Sequence, residues 1–113
     1  MAQQVPLTAT PTESHRAFVQ APLGSYTTAK SPSMGLPGIG KMATAKLREA
    51  HLYTSAAVFG QYLAFDRKPQ TFLAYLEEEV GVVFKGNQHH TKEAIKAALI
   101  AALDEKWEII KEY

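Results

Sequence analysis

The chain has 113 residues, of which 46% are apolar and 20% charged, with no cysteine and a net charge of +1. A chain of this length can form one hydrophobic core without metal or disulfide crosslinks. The lack of cysteine excludes a disulfide framework, a thiol nucleophile and cysteine-based metal sites. No apolar run approaches the ~18 residues of a membrane-spanning helix. We therefore expect one small intracellular domain without membrane insertion.

The amino-terminal part of the chain predicts a tail followed by a short helix. Residues 1–9 are polar and contain proline and threonine, as is typical of a flexible tail. The single helical domain then occupies residues 10–113. Thr10 and Glu13 form a capping-box pattern at the start of the first helix, and Pro22 ends that helix at the preceding residue.

Four further helices are predicted after a loop of small and turn-forming residues at 25–35. Thr54 and Thr91 are suitable N-cap residues, Pro69 suits a first helical turn, and Gly81 can end a helix in the left-handed conformation. These boundaries predict helices over about 41–50, 55–65, 69–80 and from 92 almost to 113. The strand-like run at 82–84 is too short to build a sheet. The predicted fold is an all-α, compact domain of five helices.

The spacing of apolar residues indicates which faces pack inward. In the last helix one stripe recurs every three or four residues, formed by Ile95, Leu99, Leu103, Trp107 and Ile110. The third helix is apolar on almost every side, so we expect a second subunit to supply part of its cover. The predicted inward face of the second helix contains Met42 and Ala45 with either Leu47 or Glu49, of which Leu47 is favoured.

The net charge hides an uneven distribution. Residues 1–68 carry seven basic and three acidic side chains, a charge of +4, whereas residues 69–113 carry five lysines and eight acids, a charge of −3. One part of the chain can therefore face an anion while the other stays solvated, unless the asymmetry is mere scatter in a small sample.

The segment 36–40 carries the functional prediction, because two glycines flank one apolar residue directly before a helix. Gly38 and Gly40 allow a sharp turn that exposes consecutive backbone N–H groups at the helix amino terminus. These N–H groups and the positive end of the helix dipole favour a phosphate group. Ile39 is predicted to insert into the core and fix the shape of the turn.

Two lysines add positive charge beside this turn. Lys41 opens the following helix and Lys46 lies one turn further on. Together with the glycines they form the pattern of a helix-hairpin-helix motif, at about residues 30–50, which binds the DNA backbone rather than a base sequence. The alternative is that the glycine turn is structural only.

The order and spacing of motifs along the chain resemble the barrier-to-autointegration factor family. The likeness covers about residues 13–81 and continues more loosely into the last helix. It is carried by His15-Arg16, Phe18-Val19, Pro22, Gly24, Leu36, Gly38-Ile39-Gly40, Lys46-Leu47, Val58, Gly60-Gln61-Tyr62-Leu63, Phe72 and Leu76. The resemblance implies a homodimer in which each subunit presents one helix-hairpin-helix motif, so that the dimer bridges two duplexes.

The resemblance also implies individual site residues. The DNA contacts carried over are Gly38, Ile39, Gly40, Lys41, Met42, Ala43 and Lys46, with Arg16, Lys85 and Lys92 as further basic contacts. The dimer contacts carried over are Val58, Gly60, Gln61, Leu63 and Ala64. The side chains that lie where family members are phosphorylated are Thr8, Thr10, Thr12 and Ser14, and phosphate groups there would repel DNA.

The function implied by the resemblance is sequence-independent binding and bridging of double-stranded DNA in chromatin organisation, chromatin compaction and nuclear assembly. Such a protein is not an enzyme and needs no cofactor or metal. The resemblance also implies LEM-domain proteins or lamins as partners. It implies a location in the nucleus, at chromatin and the nuclear envelope, with the cytoplasm as a further compartment.

Two other classes of function stay open. The first is a protein-interaction adaptor that docks a partner helical domain in the dimer groove. The second, more remote, is a DNA glycosylase-like repair factor, which needs a catalytic aspartate and a pocket for a flipped base. Asp66 is the only aspartate near the turn, and the residues around it do not form a glycosylase-like catalytic motif.

The adjacent residues His89 and His90 are the closest pair of potential metal ligands. A metal site there lacks a third ligand, so we expect two solvent-exposed loop histidines.

Overall fold

A computed structural model describes residues 13–20 and 35–111, and every regular element in these ranges is helical. The helices are α1 (Glu13–Gln20), α2 (Lys41–Glu49), α3 (Ser55–Ala64), α4 (Pro69–Ala74), which continues as a π-helical stretch (Tyr75–Val80), and α5 (Lys92–Ile110). Five helices and no strand in these ranges confirm the predicted all-α class. The predicted tail, the Thr10 cap and all but the last residue of the predicted loop at 25–35 lie outside the described residues.

The predicted helix boundaries after residue 40 are confirmed. The Thr54 hydroxyl accepts a hydrogen bond from the Ala57 N–H group at 3.0 Å, and the Thr91 hydroxyl accepts one from the Ala94 N–H group at 3.1 Å. Pro69 stands at the first position of α4, where its missing N–H group costs nothing. Gly81 ends the π-helical stretch with a φ of +92°.

The core is built around α5. Side chains with essentially no solvent exposure come from α2 to α5, namely Leu47, Val58, Tyr62, Phe72, Leu76, Leu99, Ala102 and Leu103. From the predicted stripe of α5, Leu99 and Leu103 are buried, while Ile95, Trp107 and Ile110 are partly buried against the core. Phe18 and Val19 of α1 join the same core, and α1 packs along α5.

The inward face of α2 differs from the predicted one. Met42 is 82% exposed and Ala45 is also exposed, whereas Thr44 and Leu47 are buried. The buried stripe runs three and four residues back from Leu47, to Thr44 and the half-buried Ala43, so Met42 and Ala45 fall on the opposite side of the helix. Leu47 is buried as predicted, and together with Thr44 it defines the inward face of α2.

The π-helical stretch at the end of α4 was not predicted from the sequence. The Gly81 N–H group donates to the carbonyl oxygen of Leu76, five residues earlier, at 2.9 Å. Beyond Gly81 the chain runs extended with Val82 and Phe84 buried and Val83 68% exposed. This alternation is that of a strand, but no second strand lies beside it in the described part of the chain.

Polar contacts tie α1 to the carboxyl-terminal half of α5. Lys106 is only 4% exposed, and its ammonium group donates to the carbonyl oxygen of Phe18 at 3.0 Å. The burial lowers the pKa of Lys106. His15 contacts a carboxylate oxygen of Glu105 at 2.7 Å. The carbonyl end of α1 is thus capped by a cation from a neighbouring helix, in the orientation that the helix dipole favours.

A second polar contact on α5 is a hydrogen bond with α3. The buried Tyr62 hydroxyl donates to a carboxylate oxygen of Asp104 at 2.6 Å, and Arg67 approaches the same oxygen at 3.5 Å. The guanidinium of Arg67 lies 5.1 Å from the ring centre of Trp107. Burial of the phenol, together with its hydrogen bond to Asp104 and the negative charge there, raises the pKa of Tyr62.

The raised pKa of Tyr62 predicts a loss of stability at alkaline pH. Folded Tyr62 keeps its proton where an unfolded tyrosine ionises, above about pH 10, so its contribution is complete below that pH and declines as the pH rises further. We expect Tyr62→Phe to lower the free energy of unfolding at neutral pH by about 1.5 kcal/mol and to make its alkaline decline shallower, as measured by urea denaturation.

The control for this variant is Tyr53→Phe, because Tyr53 is 47% exposed and bonds only to the neighbouring His51. This change should leave the free energy of unfolding at neutral pH, and its decrease at alkaline pH, within about 0.5 kcal/mol of the values for the parent protein. Equal alkaline slopes for all three proteins would contradict the role given to the hydrogen bond between Tyr62 and Asp104.

Within residues 13–20 and 35–111, no helix combines the length and apolar character needed to cross a bilayer.

Candidate nucleic-acid interface

The glycine turn leads directly into α2. The Ile39 N–H group donates to the carbonyl oxygen of Leu36 at 3.1 Å, which closes the turn, and Gly38 takes a φ of +80°. Gly40 then has extended backbone and forms the N-cap of α2. The first hydrogen bond of the helix joins the Thr44 N–H group to the carbonyl oxygen of Gly40 at 2.9 Å.

The shape of the turn is fixed by the core beneath it. Leu36 and Ile39 are 3% and 2% exposed, so Ile39 inserts into the core as predicted. A Cβ atom on Gly38 would stand 2.9 Å from the Cγ2 atom of Ile95 and 3.3 Å from its carbonyl oxygen. The turn is therefore seated on α5 at a distance that only glycine permits.

The amino terminus of α2 differs from those of α3 and α5 in having no side-chain cap. Threonine hydroxyls occupy the N-caps of α3 and α5, but Gly40 offers no side chain, and a Cβ atom there would have no neighbour within 4 Å. The N–H groups of Lys41, Met42 and Ala43 belong to the first turn and point away from the helix. This end of α2 can accept an anion without displacing a capping side chain.

A groove of about 680 Å³ opens in front of this helix end. Its walls are the glycine turn, the first half of α2, the extended segment after Gly81 and the first turns of α5. Of the described residues, four polar side chains line it, Lys46, Lys85, Asn87 and His90, and no acidic one does. In this part of the chain the groove therefore combines helix N–H groups with positive charge and without opposing carboxylates.

The aliphatic stem of Lys46 lies beside a second glycine, Gly81. The Cδ atom of Lys46 would lie 3.7 Å from a Cβ atom on Gly81. The aliphatic part of the lysine thus runs over the end of the π-helical stretch, while its side chain lines the groove and stays exposed to solvent. Because the stem packs beside the backbone, the ammonium group already has fewer conformations and loses less entropy on binding.

The groove brings together most of the residues inferred to contact DNA, but not all. Gly38, Ile39, Gly40, Met42, Ala43, Lys46 and Lys85 line it. Arg16 on α1, Lys41 on α2 and Lys92 on α5 are exposed but do not line the groove. His90 and Asn87 line it and were missed, because a loop histidine or asparagine has no periodic pattern that would place it at a site.

The inferred dimer contacts fall on α3 with different exposure. Val58 is buried in the chain's own core, Gln61 and Leu63 are partly buried, and Gly60 and Ala64 are exposed. A Cβ atom on Gly60 would have no neighbour within 4 Å. Nothing within the described part of this chain therefore requires a glycine at position 60.

The fold defines a small all-helical protein with a lysine-bearing groove at the amino terminus of α2. The model of the barrier-to-autointegration factor family matches residues 9–99, well over half of the chain, and the chain belongs to that family. Proteins of this family are non-enzymatic, DNA-binding and associated with chromatin. No curated protein and no solved structure gives a significant match.

No group of three or more potential metal ligands occurs among residues 13–20 and 35–111.

The two glycines of the turn should respond differently to alanine. Gly38→Ala places a side chain against Ile95 at a positive φ, so we expect the free energy of unfolding to fall by about 2 kcal/mol. Gly40→Ala meets open space with ordinary backbone but puts a poorer N-cap residue at the start of α2, so we expect a smaller loss of about 0.5–1 kcal/mol. Urea denaturation of both variants checks this, and equal losses would contradict the seating of the turn on α5.

Proposed function

We propose that the chain binds double-stranded DNA through backbone phosphates at the groove in front of α2, without preference for sequence. The observation that carries this proposal is the uncapped amino terminus of α2, which opens between Lys46 and Lys85 into a groove that no acidic side chain of the described residues lines. We further propose that the glycine turn is the hairpin of a helix-hairpin-helix motif at about residues 30–50, part of which lies outside the described ranges.

The chemistry of this site favours phosphate over bases. Backbone N–H groups at a helix end and lysine ammonium groups bind the phosphate oxygens that every sequence shares, whereas base recognition needs side chains that enter a groove of the duplex. The contacts per subunit are few. We therefore expect weak binding at a single groove and much tighter binding when two grooves hold one long DNA.

A homodimer would supply the second groove. On α3 the small residues Gly60 and Ala64 form an exposed strip, flanked by the partly buried Gln61 and Leu63. Glycine in the middle of a helix costs about 1 kcal/mol relative to alanine. Close approach of a second α3 across this strip gives a physical reason for that cost, and a dimer formed in this way would bridge two duplexes.

The cellular role follows from bridging. A protein that joins duplexes without reading their sequence compacts chromatin and assists nuclear assembly, and we place it in the nucleus with LEM-domain proteins or lamins as partners. Phosphate groups on Thr8, Thr10, Thr12 or Ser14 would each add a charge of about −2 in the segment that leads into Arg16, which would weaken binding to DNA.

Replacement of Lys46 tests the groove directly. We expect Lys46→Glu to weaken binding to a short random duplex at least tenfold at low salt, because a cation becomes an anion beside the phosphate. The slope of log K against log salt should become shallower by about one unit. Fluorescence anisotropy over a series of salt concentrations measures both quantities.

The matched control is Lys68→Glu, because Lys68 is exposed at the N-cap of α4 and does not line the groove. Its effect on affinity should be less than threefold, with an unchanged salt slope. Equal losses of affinity for the two variants would mean that DNA binding depends on the overall charge of the protein and not on the groove in front of α2.

Replacement of Gly60 tests the dimer. We expect the parent protein to have twice its chain mass of 12.4 kDa by light scattering at micromolar concentration. Gly60→Arg should reduce this to one chain and abolish bridging of two labelled duplexes while leaving binding to one duplex. Gln70→Arg, at an exposed position of α4, should stay dimeric. A monomeric parent protein would refute bridging but not DNA binding.

A further inference from the structure

His90 occupies a fixed position in the wall of the groove. The Asn87 side-chain oxygen accepts hydrogen bonds from the N–H groups of His89 at 2.7 Å and His90 at 2.9 Å, and the Asn87 N–H group donates to the His90 carbonyl oxygen at 2.8 Å. A Cβ atom on Gly86 would stand 3.1 Å from that same carbonyl oxygen. The loop is thus closed on itself, and the backbone of His90 is held on both sides.

The two adjacent histidines have different surroundings. His90 is partly buried and lines the groove together with Lys46 and Lys85. His89 is exposed, does not line the groove, and its ring contacts the side-chain nitrogen of Gln88 at 3.2 Å. The ring centres of His89 and His90 are 6.4 Å apart. The chain therefore contains its own matched control for any effect of His90.

The charged groups around His90 come from three elements. Lys46 of α2 and Lys85 of the extended segment line the same groove, and α5 contributes only apolar lining there. Lys92 and Glu93, in the exposed first turn of α5, are the nearest charged residues along the chain. No carboxylate among residues 13–20 and 35–111 lines the groove, so an anion that enters it from outside would be the negative partner available to a protonated imidazole at that wall.

We infer that His90 is a titratable phosphate contact of this groove, so that the protein binds DNA more tightly as the pH falls from about 8 to about 6. This inference rests on the proposed function. A phosphodiester in the groove brings negative charge to the imidazole and favours its protonated form, which donates from both ring nitrogens. Binding of DNA and uptake of one proton by His90 then favour each other.

The experiment measures the affinity for a short random duplex at constant ionic strength over this pH range by fluorescence anisotropy. Uptake of a fraction of one proton per groove predicts a gain in affinity of several-fold between pH 8 and pH 6, below the roughly hundredfold gain that a full proton would give. His90→Gln should lose most of that gain, whereas His89→Gln should keep it. His90→Lys, which carries a permanent charge, should bind tightly at both pH values with little dependence on pH.

The possible outcomes separate the inference from the function on which it rests. Binding by the parent protein that does not change with pH, or a gain that persists in His90→Gln, overturns the inference and leaves DNA binding intact. An equal loss in His89→Gln also overturns it, because the effect would then belong to loop charge in general. If no variant binds DNA at any pH, the proposed function fails and the inference fails with it. Thermal unfolding of each variant confirms that the fold is retained.

Discussion

The seating of the glycine turn on α5 is the contact on which the groove depends. Gly38 lies so close to Ile95 that a single added carbon would collide with it, and Ile39 holds the turn from the core side. Since the first turn of α2 follows within three residues, the direction of its N–H groups is set by that contact. The groove is therefore shaped by packing in the core and not by the residues that would touch a ligand.

The same helix anchors the other elements at its far end. Asp104 receives the Tyr62 hydroxyl from α3, and Lys106 caps the carbonyl end of α1. The first contact is partly buried and the second is buried, so the loss of either costs more than the loss of a surface ion pair. The family match ends at residue 99, so both contacts come from the part of α5 beyond the matched region.

The sequence predicted helices, caps and the glycine turn because each depends on local chemistry. Thr54, Thr91, Pro69 and Gly81 act within one helical turn of their own position, and the structure confirms all four. Features that depend on distant parts of the chain were not predictable in this way. The burial of Lys106 requires α1 beside α5, and the place of His90 in the groove requires the loop to fold back towards α2.

The number of residues between Pro69 and Gly81, which includes the π-helical stretch, determines where Gly81 lies relative to α2. One residue more or fewer in an α-helix turns everything after it by about 100° and shifts it by about 1.5 Å. A π-helical turn contains one residue more than an α-helical turn. Glu77 within the stretch pairs with Lys96 of α5 at 3.0 Å, and Gly81 at its end lies next to the Lys46 side chain. An insertion or deletion in α4 would therefore move Gly81 away from Lys46 and displace the groove segment that carries Lys85, whereas a substitution on the exposed face of α4 leaves this register unchanged.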